Sequence, residues 1–303
     1  MEARGDLTDA QWERIEPLLP VSSGRCGRWR DHRQVVNGVL HRIRTGVPWR
    51  DLPDRYGPWK TVHERHRRWS ADGTWQMLLE RIQAREDASG TIDWDISVDS
   101  TVVRGHHHAA GARHTPPPAS GTGRSTGRAA ADRPAGGGGA AGEALGRSRG
   151  GFTTKIHLSA DGHCRILSLV ITPGQSADCT QFEPVMDKIR VPRLTTGRPR
   201  TTPDSVSADK GYSNRRTRRY LRRRGIPHVI PEKADQTANR SRRGSAGGRP
   251  PGFDQDRYKK RNTVERAINR LKAFRAVAAR FDKRAYIYLG TLTAAALAIW
   301  LRS

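Results

Sequence analysis

Cysteine is nearly absent: Cys26, Cys164 and Cys179 are the only three in 303 residues, and no two are spaced as C-x-x-C. That excludes a zinc ribbon or a disulfide framework and fits a reducing cytoplasm. An apolar core near the start is also lacking, since "MEARGDLTDAQWER" is polar throughout, which argues against a secretory signal. Long apolar runs reduce to one, "AYIYLGTLTAAALAIWLR". It carries Gly290 and two threonines and suits a buried final helix better than a membrane span.

Acids are scarce and lysine scarcer. The chain has 30 Asp+Glu against 55 Lys+Arg, a formal charge of +25, and only nine of those bases are lysine. Arginine's planar fork can make two hydrogen bonds to one phosphate. From Lys210 to Arg284 there are 24 bases and 6 acids, so +18 of the excess lies in a quarter of the chain. A partner dense in phosphate is implied, nucleic acid first. A solvated basic surface or an anionic membrane is the alternative.

What is present falls into two parts. "LTDAQWERIEPLLP" predicts a helix capped by Thr8, and "DHRQVVNGVLHRIRTG" a second helix stopped by Gly46. "KTVHERHRRWSADGTWQMLLERIQ" adds one or two more. Short helices with basic, tryptophan-rich faces predict a helix-turn-helix-type DNA-binding domain over residues 1–85, with a packing or dimerisation domain as the alternative.

The period then changes to alternation in "TIDWDISVDSTVV", a strand that opens a second domain over residues 91–303. A Gly/Ala/Pro-rich stretch, about residues 109–146, reads as disordered. "FTTKIHLSADGHCRILSLVITPG" predicts a hairpin turning at Asp161-Gly162. "SADCTQFEPVMDKI" predicts a helix capped by Ser176, "DSVSADKGY" a strand ending near Asp209, and "SNRRTRRYLRRRG" a basic helix capped by Ser213. "IPHVI" is a last strand and "ADQTANRSRRGSAGGRPPGFDQD" a loop. The order predicts an α/β (α+β) domain with a mixed sheet and flanking helices.

Three acids stand out. Asp99 and Asp209 fall on strands, though Asp93 and Asp95 precede Asp99 and the strand alone does not say which of them matters, and Glu265 lies in "YKKRNTVERAINRLKAF", as the only acid between Arg257 and Arg280. On a helix, Tyr258, Arg261, Glu265 and Lys272 share one stripe beside the apolar stripe of Val264, Ala267, Ile268 and Leu271. Glu265 could be no more than the partner of Arg261 in an i,i+4 ion pair. Converging with two aspartates in a basic protein, it could instead help hold Mg²⁺ or Mn²⁺, which take oxygen ligands and bind phosphate. Two such ions about 4 Å apart serve phosphodiester chemistry. His106-His107-His108 are not expected to converge on a metal, because adjacent histidines at the start of a loop rarely do. Arg147 and Arg149 in "GRSRGG" are candidate phosphate contacts, or simply exposed loop bases.

"SVDSTVVRGHHHAAGAR", "GRSRGGFTTKIHL", "SADKGY" and "YKKRNTVERAINRLK" resemble the DDE transposases of bacterial insertion sequences, close to the insertion sequence 5 group. Tyr258, Arg261, Glu265 and Lys272 fit that family's Y-(2)-R-(3)-E-(6)-K signature, and "GVPWRDLPDRYGPWKTVHERHRRW" resembles the domain preceding the catalytic one. The resemblance implies a ribonuclease H-like fold with Asp99, Asp209 and Glu265 as ligands of Mg²⁺ or Mn²⁺, two ions being expected. Tyr258, Arg261, Lys272, Arg147 and Arg149 would then contact DNA. The implied partners are double-stranded DNA at terminal inverted repeats and target sites, bound by a homodimer or higher multimer on the nucleoid. A non-catalytic DNA-binding relative is the alternative.

Overall fold

The structure, a computed structural model, describes residues 5–21, 29–110, 142–148 and 150–303. Helix α1 (Asp9–Ile15) opens on a reciprocal cap: Thr8 Oγ1 accepts from the Gln11 N–H, and Gln11 Oε1 accepts from the Thr8 N–H. Helix α2 (His32–Thr45) ends where Gly46 turns left-handed at φ 73°. Helices α3 (Trp59–Ala71) and α4 (Thr74–Ala88) follow, the last running past Arg85.

Strand β1 (Asp95–Gly105) starts later than the alternation predicts, with Ile92 and Trp94 buried ahead of it. One helical turn, α5 (His107–Ala110), precedes β2 (Gly146–Ser148), β3 (Gly151–Ala160) and β4 (Ile166–Pro173). The hairpin turns at Asp161-Gly162 as expected. Then come α6 (Phe182–Asp187), β5 (Ser205–Ala208), α7 (Arg215–Arg223), β6 (His228–Val229) and α8 (Ala234–Arg242). The chain closes with α9 (Gln255–Lys259), α10 (Asn262–Lys272), α11 (Arg275–Ala278), β7 (Ala279–Arg280) and α12 (Ala285–Leu301).

Several expectations are corrected. Ser176 caps nothing; its carbonyl accepts from Lys155 Nζ at 2.8 Å, and a 3-10 turn over Asp178–Gln181 leads into α6. Asn214, not Ser213, caps α7 by accepting from the Thr217 N–H at 2.8 Å, while Ser213 Oγ donates to Gln236 Oε1. The segment read as a loop before residue 255 contains α8. The far end of the glycine-rich stretch is ordered: Glu143 is fully buried, and its Oε1 accepts from Arg284 at 2.7 Å. Residues 111–141 of that stretch lie outside the described residues.

The seven-stranded sheet has the order β2-β3-β1-β5-β6, with β4 also on β3 and β7 also on β1. Strand β1 is its axis. It runs antiparallel to β3 and parallel to β5, with Val98 opposite Ala208. Beyond β5, β7 takes the same side of β1, pairing Arg104 with Ala279.

One hydrophobic cluster runs from Leu7 to Leu301. Its centre is α12, apolar on all sides and buried against α3, α4 and β4. Gly290 lets α12 cross α3 closely, because a Cβ there would lie 2.5 Å from Ser70 Cβ. Polar groups in this crossing are chained. Trp75 Nε1–H donates to His66 Nδ1, His66 Nε2–H donates to Thr291 Oγ1, and Thr291 donates to Asp282 Oδ2. That order fixes a neutral imidazole, and burial pushes His66 down from 6.5 to about 3.

The sign follows directly. Below pH 6.5 the unfolded chain binds a proton that native His66 refuses until about pH 3. Stability from this group is therefore full above 6.5 and falls on acidification, by up to about 1.4 kcal/mol per pH unit. Denaturant unfolding between pH 7 and 4 should show this slope, and His66→Gln should flatten it.

Candidate active site

Register places the first two acids. Since Val98 pairs with Ala208 on parallel strands, Asp99 and Asp209 follow side by side at the ends of the paired run. Adjacent strands lie about 4.8 Å apart. Asp99 Oδ1 accepts from the Ser100 N–H at 2.8 Å, and Asp209 Oδ1 accepts from the Lys210 N–H at 2.7 Å, which fixes both carboxylates locally.

The third acid arrives on α10. Val264, Ala267, Ile268 and Leu271 are buried, so the apolar stripe is where the sequence put it. The expected continuous helix is broken, however. Thr263 N–H bonds back to Lys260 and Val264 N–H to Arg261, i→i−3 contacts that tighten the joint between α9 and α10. Tyr258 thereby leaves the stripe's phase. It sits before the joint, with its ring 5.8 Å from the Arg261 guanidinium and 5.2 Å from Phe253.

Arg261 ties the acids together. Its Nη1 donates to Asp99 Oδ2 at 3.2 Å, and its Nη2 reaches Glu265 Oε1 at 2.5 Å. Glu265 is therefore the ion-pair partner of Arg261, and it faces Asp99 across that one guanidinium. Burial raises the Asp99 carboxyl above its ordinary value, the Ser100 N–H and Arg261 oppose this, and the charges of Asp209 and Glu265 add to it. Arg261 itself is raised: burial works against its charge, but Asp99 and Glu265 outweigh burial.

The remaining predicted residues separate. Lys272 Nζ donates to the Val102 carbonyl at 3.1 Å, about 10 Å along β1 from Asp99. Burial lowers its pKa. Arg147 is exposed on edge strand β2, opposite Phe152 and two strands from the far end of β1. It is not brought to the carboxylates. Arg149 lies outside the described residues. The histidine run corrects its expectation: His106, His107 and His108 each offer a ring nitrogen within 4.8 Å of the others. Among the described residues no other group of three reaches that separation, so the acids are spread wider while Arg261 stands between two of them.

The opposite side of β1 holds a group that sequence reasoning missed. Ser100 Oγ donates to Asp178 Oδ1 at 2.7 Å, and Lys155 Nζ is 2.9 Å from the same oxygen. His157 Nδ1 lies 3.8 Å away, buried and unpartnered, and burial takes this histidine down to about 4. The Tyr212 hydroxyl is also buried with no hydrogen-bond partner among the described residues. Burial raises its pKa, Asp99, Asp178 and Asp209 raise it further, and the neighbouring Ser100 hydroxyl opposes them. The signal was the alternation in "FTTKIHL", which puts Lys155 and His157 on one face of a buried strand.

Basic surface flanks the site. Three residues after Tyr212, α7 begins, and its Arg215, Arg216, Arg219, Arg222 and Arg223 are exposed. A cleft lined by Arg215, Arg216, Arg219, Tyr220, Arg223 and Glu183 runs along it. Only Glu183 is acidic there, and it is held by Arg216 at 2.9 Å. Among the described residues no helix is long and apolar enough to cross a membrane.

Comparison with known proteins bears on the family. Residues 91–301 match the family described as a transposase DDE domain, and residues 7–79 match a putative transposase family of IS4/5 type. A putative transposase of insertion sequence element IS402 from Burkholderia cepacia is 35% identical over 135 residues, 45% of this chain and 56% of that protein. A putative transposase of element IS6501 from Brucella ovis is 26% identical over 151 residues, half of this chain and all of that protein. An uncharacterized protein, y4sN, from Sinorhizobium fredii is 40% identical over 108 residues, 35% of this chain and 82% of its own. No solved structure matches. With its mixed sheet of ribonuclease H-like type and its helical N-terminal part, the chain belongs to the DDE transposases of the IS4/5 family.

Proposed function

We propose that this transposase binds the ends of an insertion element, hydrolyses a phosphodiester there, and joins the freed 3′-hydroxyl to target DNA. The observation that carries this is the register of β1 with β5, which sets Asp99 beside Asp209 while Arg261 links Asp99 to Glu265. The donor set is all carboxylate oxygen and carries more negative charge than one guanidinium offsets, which fits Mg²⁺ or Mn²⁺. When bound, such ions, two being expected, activate the attacking oxygen and stabilise the leaving one.

The chain's own residues do the rest. Arg261 bridges Asp99 and Glu265 in the free protein and offsets part of their charge; a divalent ion held by the same carboxylates would compete with it and leave its guanidinium able to turn to a phosphate. The exposed arginines of α7 carry the flanking duplex. Helices α1 to α4 read the element ends, with exposed Arg50, Lys60 and Arg68 as candidate contacts. Two or more copies on DNA would be needed to hold both ends together.

Purified protein should nick supercoiled DNA only when Mg²⁺ or Mn²⁺ is added; intact plasmid in both cases would end the catalytic reading. Binding should weaken roughly 10³-fold or more between 50 and 200 mM salt if about six phosphates are neutralised. A log–log slope near zero would remove the electrostatic basis.

Tyr212 supplies a finer test. The Tyr212 hydroxyl is a buried donor beside Ser100 with the charges of Asp99, Asp178 and Asp209 around it, placed to donate to a phosphate oxygen in the site. Tyr212→Phe removes an unsatisfied group, so stability should hold or rise by about 1 kcal/mol. Cleavage should fall roughly tenfold or more, the worth of one hydrogen bond to a charged group. Lower stability with normal cleavage would make Tyr212 a core residue only.

A further inference from the structure

The cluster His106-His107-His108 takes no part in the chemistry proposed above. It closes β1 about 23 Å along the strand from Asp99. Its rings are mutually packed, with centroids 3.9 Å apart for His106 and His107, 4.6 Å for His106 and His108, and 4.3 Å for His107 and His108. One ring nitrogen from each lies within 4.8 Å of the other two.

The base of the cluster is fixed by long-range contacts. Gly105 pairs with Arg280 across β1 and β7, and the His106 N–H donates to the Arg280 carbonyl at 2.8 Å. The His106 ring lies 4.6 Å from Phe281. The Ala109 N–H donates to the His106 carbonyl at 2.8 Å and closes the turn that brings the next two rings back. The His108 N–H donates to His106 Nδ1 at 3.3 Å, which holds the His106 ring against the turn.

We infer that His106, His107 and His108 form a binding site for a transition-metal ion of the Zn²⁺, Ni²⁺ or Cu²⁺ class, separate from the carboxylate site. Three imidazoles are a ligand set that borderline metals prefer, whereas Mg²⁺ takes oxygen. His107 and His108 are exposed, so an ion can enter and water can fill its remaining positions. Occupancy would pin the end of β1 to β7 at the point where the chain leaves the sheet.

The test is calorimetric titration of Zn²⁺ into the tag-free full chain in excess Mg²⁺, repeated on Asp99→Asn and on His107→Asn/His108→Asn protein. His106 is left in place because it stacks on Phe281. One binding event should survive both Mg²⁺ and Asp99→Asn, and should weaken at least about tenfold in the double histidine variant. Cu²⁺ bound to the wild type should show nitrogen hyperfine splitting that the variant loses. Zn²⁺ affinity unchanged in the histidine variant, or abolished by Mg²⁺ or by Asp99→Asn, would overturn the assignment. The carboxylate site is untouched by either outcome.

Discussion

Glu265→Gln is expected to leave the fold and DNA affinity intact while metal-dependent cleavage falls by roughly three orders of magnitude. The structural cost is small because the Glu265 side chain is 49% exposed. An exposed i,i+4 pair contributes only a few tenths of a kcal/mol. The catalytic cost is large because the carboxylate is one of three that must hold the same charge. Asp99→Asn and Asp209→Asn should match it, and a double variant should be little worse than a single one, since the three act as a unit. Arg261→Gln separates the two readings of the glutamate. If the Arg261 pair were the whole role of Glu265, Arg261→Gln and Glu265→Gln would both cleave normally with slightly reduced melting temperature. If the carboxylates bind metal, Arg261→Gln should bind Mn²⁺ more tightly without DNA, because a competing cation is gone. Normal turnover by Glu265→Gln protein would sink the catalytic assignment despite the family.

The sequence made the three acids legible through different signals, and the signals explain what was missed. Asp209 was visible because it ends the short strand "SVSA", with Lys210-Gly211 turning the chain, and all four residues of that strand are buried. Asp99 was one of three aspartates on its strand, and only the pairing of Val98 with Ala208 separates it from Asp93 and Asp95. Glu265 was visible through its isolation among bases and the apolar stripe beside it. Lys272 shared that stripe, yet over two helical turns α10 carries it along β1 to the Val102 carbonyl. Helical phase fixes a face and says nothing about position along a neighbouring strand. Caps were misjudged where two adjacent residues both qualify: Asn214 won over Ser213, which tertiary contact with Gln236 had already engaged. The Asp178 cluster was legible only in part: alternation in "FTTKIHL" aligns Lys155 with His157, but Ser100 and Asp178 come from two other segments that only the folded sheet brings to them.

Removing residues 1–88 is expected to abolish folding rather than yield a trimmed catalytic domain. Composition and period suggest a separable helical module, but α12 packs against α3 and α4 as well as against β4. Trp300 Nε1–H donates to the Ile166 carbonyl at 2.7 Å, and Gln83 Nε2 donates to the carbonyls of Ile166 and Leu167 at 3.1 and 3.2 Å, so both sets of helices rest on the same strand. Without α3 and α4, one side of a helix buried along nearly its whole length would face water. Each large apolar side chain so exposed costs about 1.5–3 kcal/mol. Four or five of them, about 6–15 kcal/mol together, are as large as the net stability of a typical domain, about 5–15 kcal/mol. His66 and Gln83, the partners of Thr291 and β4, would be lost with the same cut. The protein comprising residues 89–303 should therefore be insoluble or lack a cooperative melting transition. A transition close to that of the full chain would show that the catalytic sheet stands alone. End recognition is consequently better tested in the full chain, by Arg50→Ala, Lys60→Ala and Arg68→Ala together. These exposed substitutions should leave melting unchanged and remove the preference for terminal repeats, while binding through α7 to unrelated DNA persists. Full end preference in the triple variant would move recognition away from these helices, to the arginines of α7.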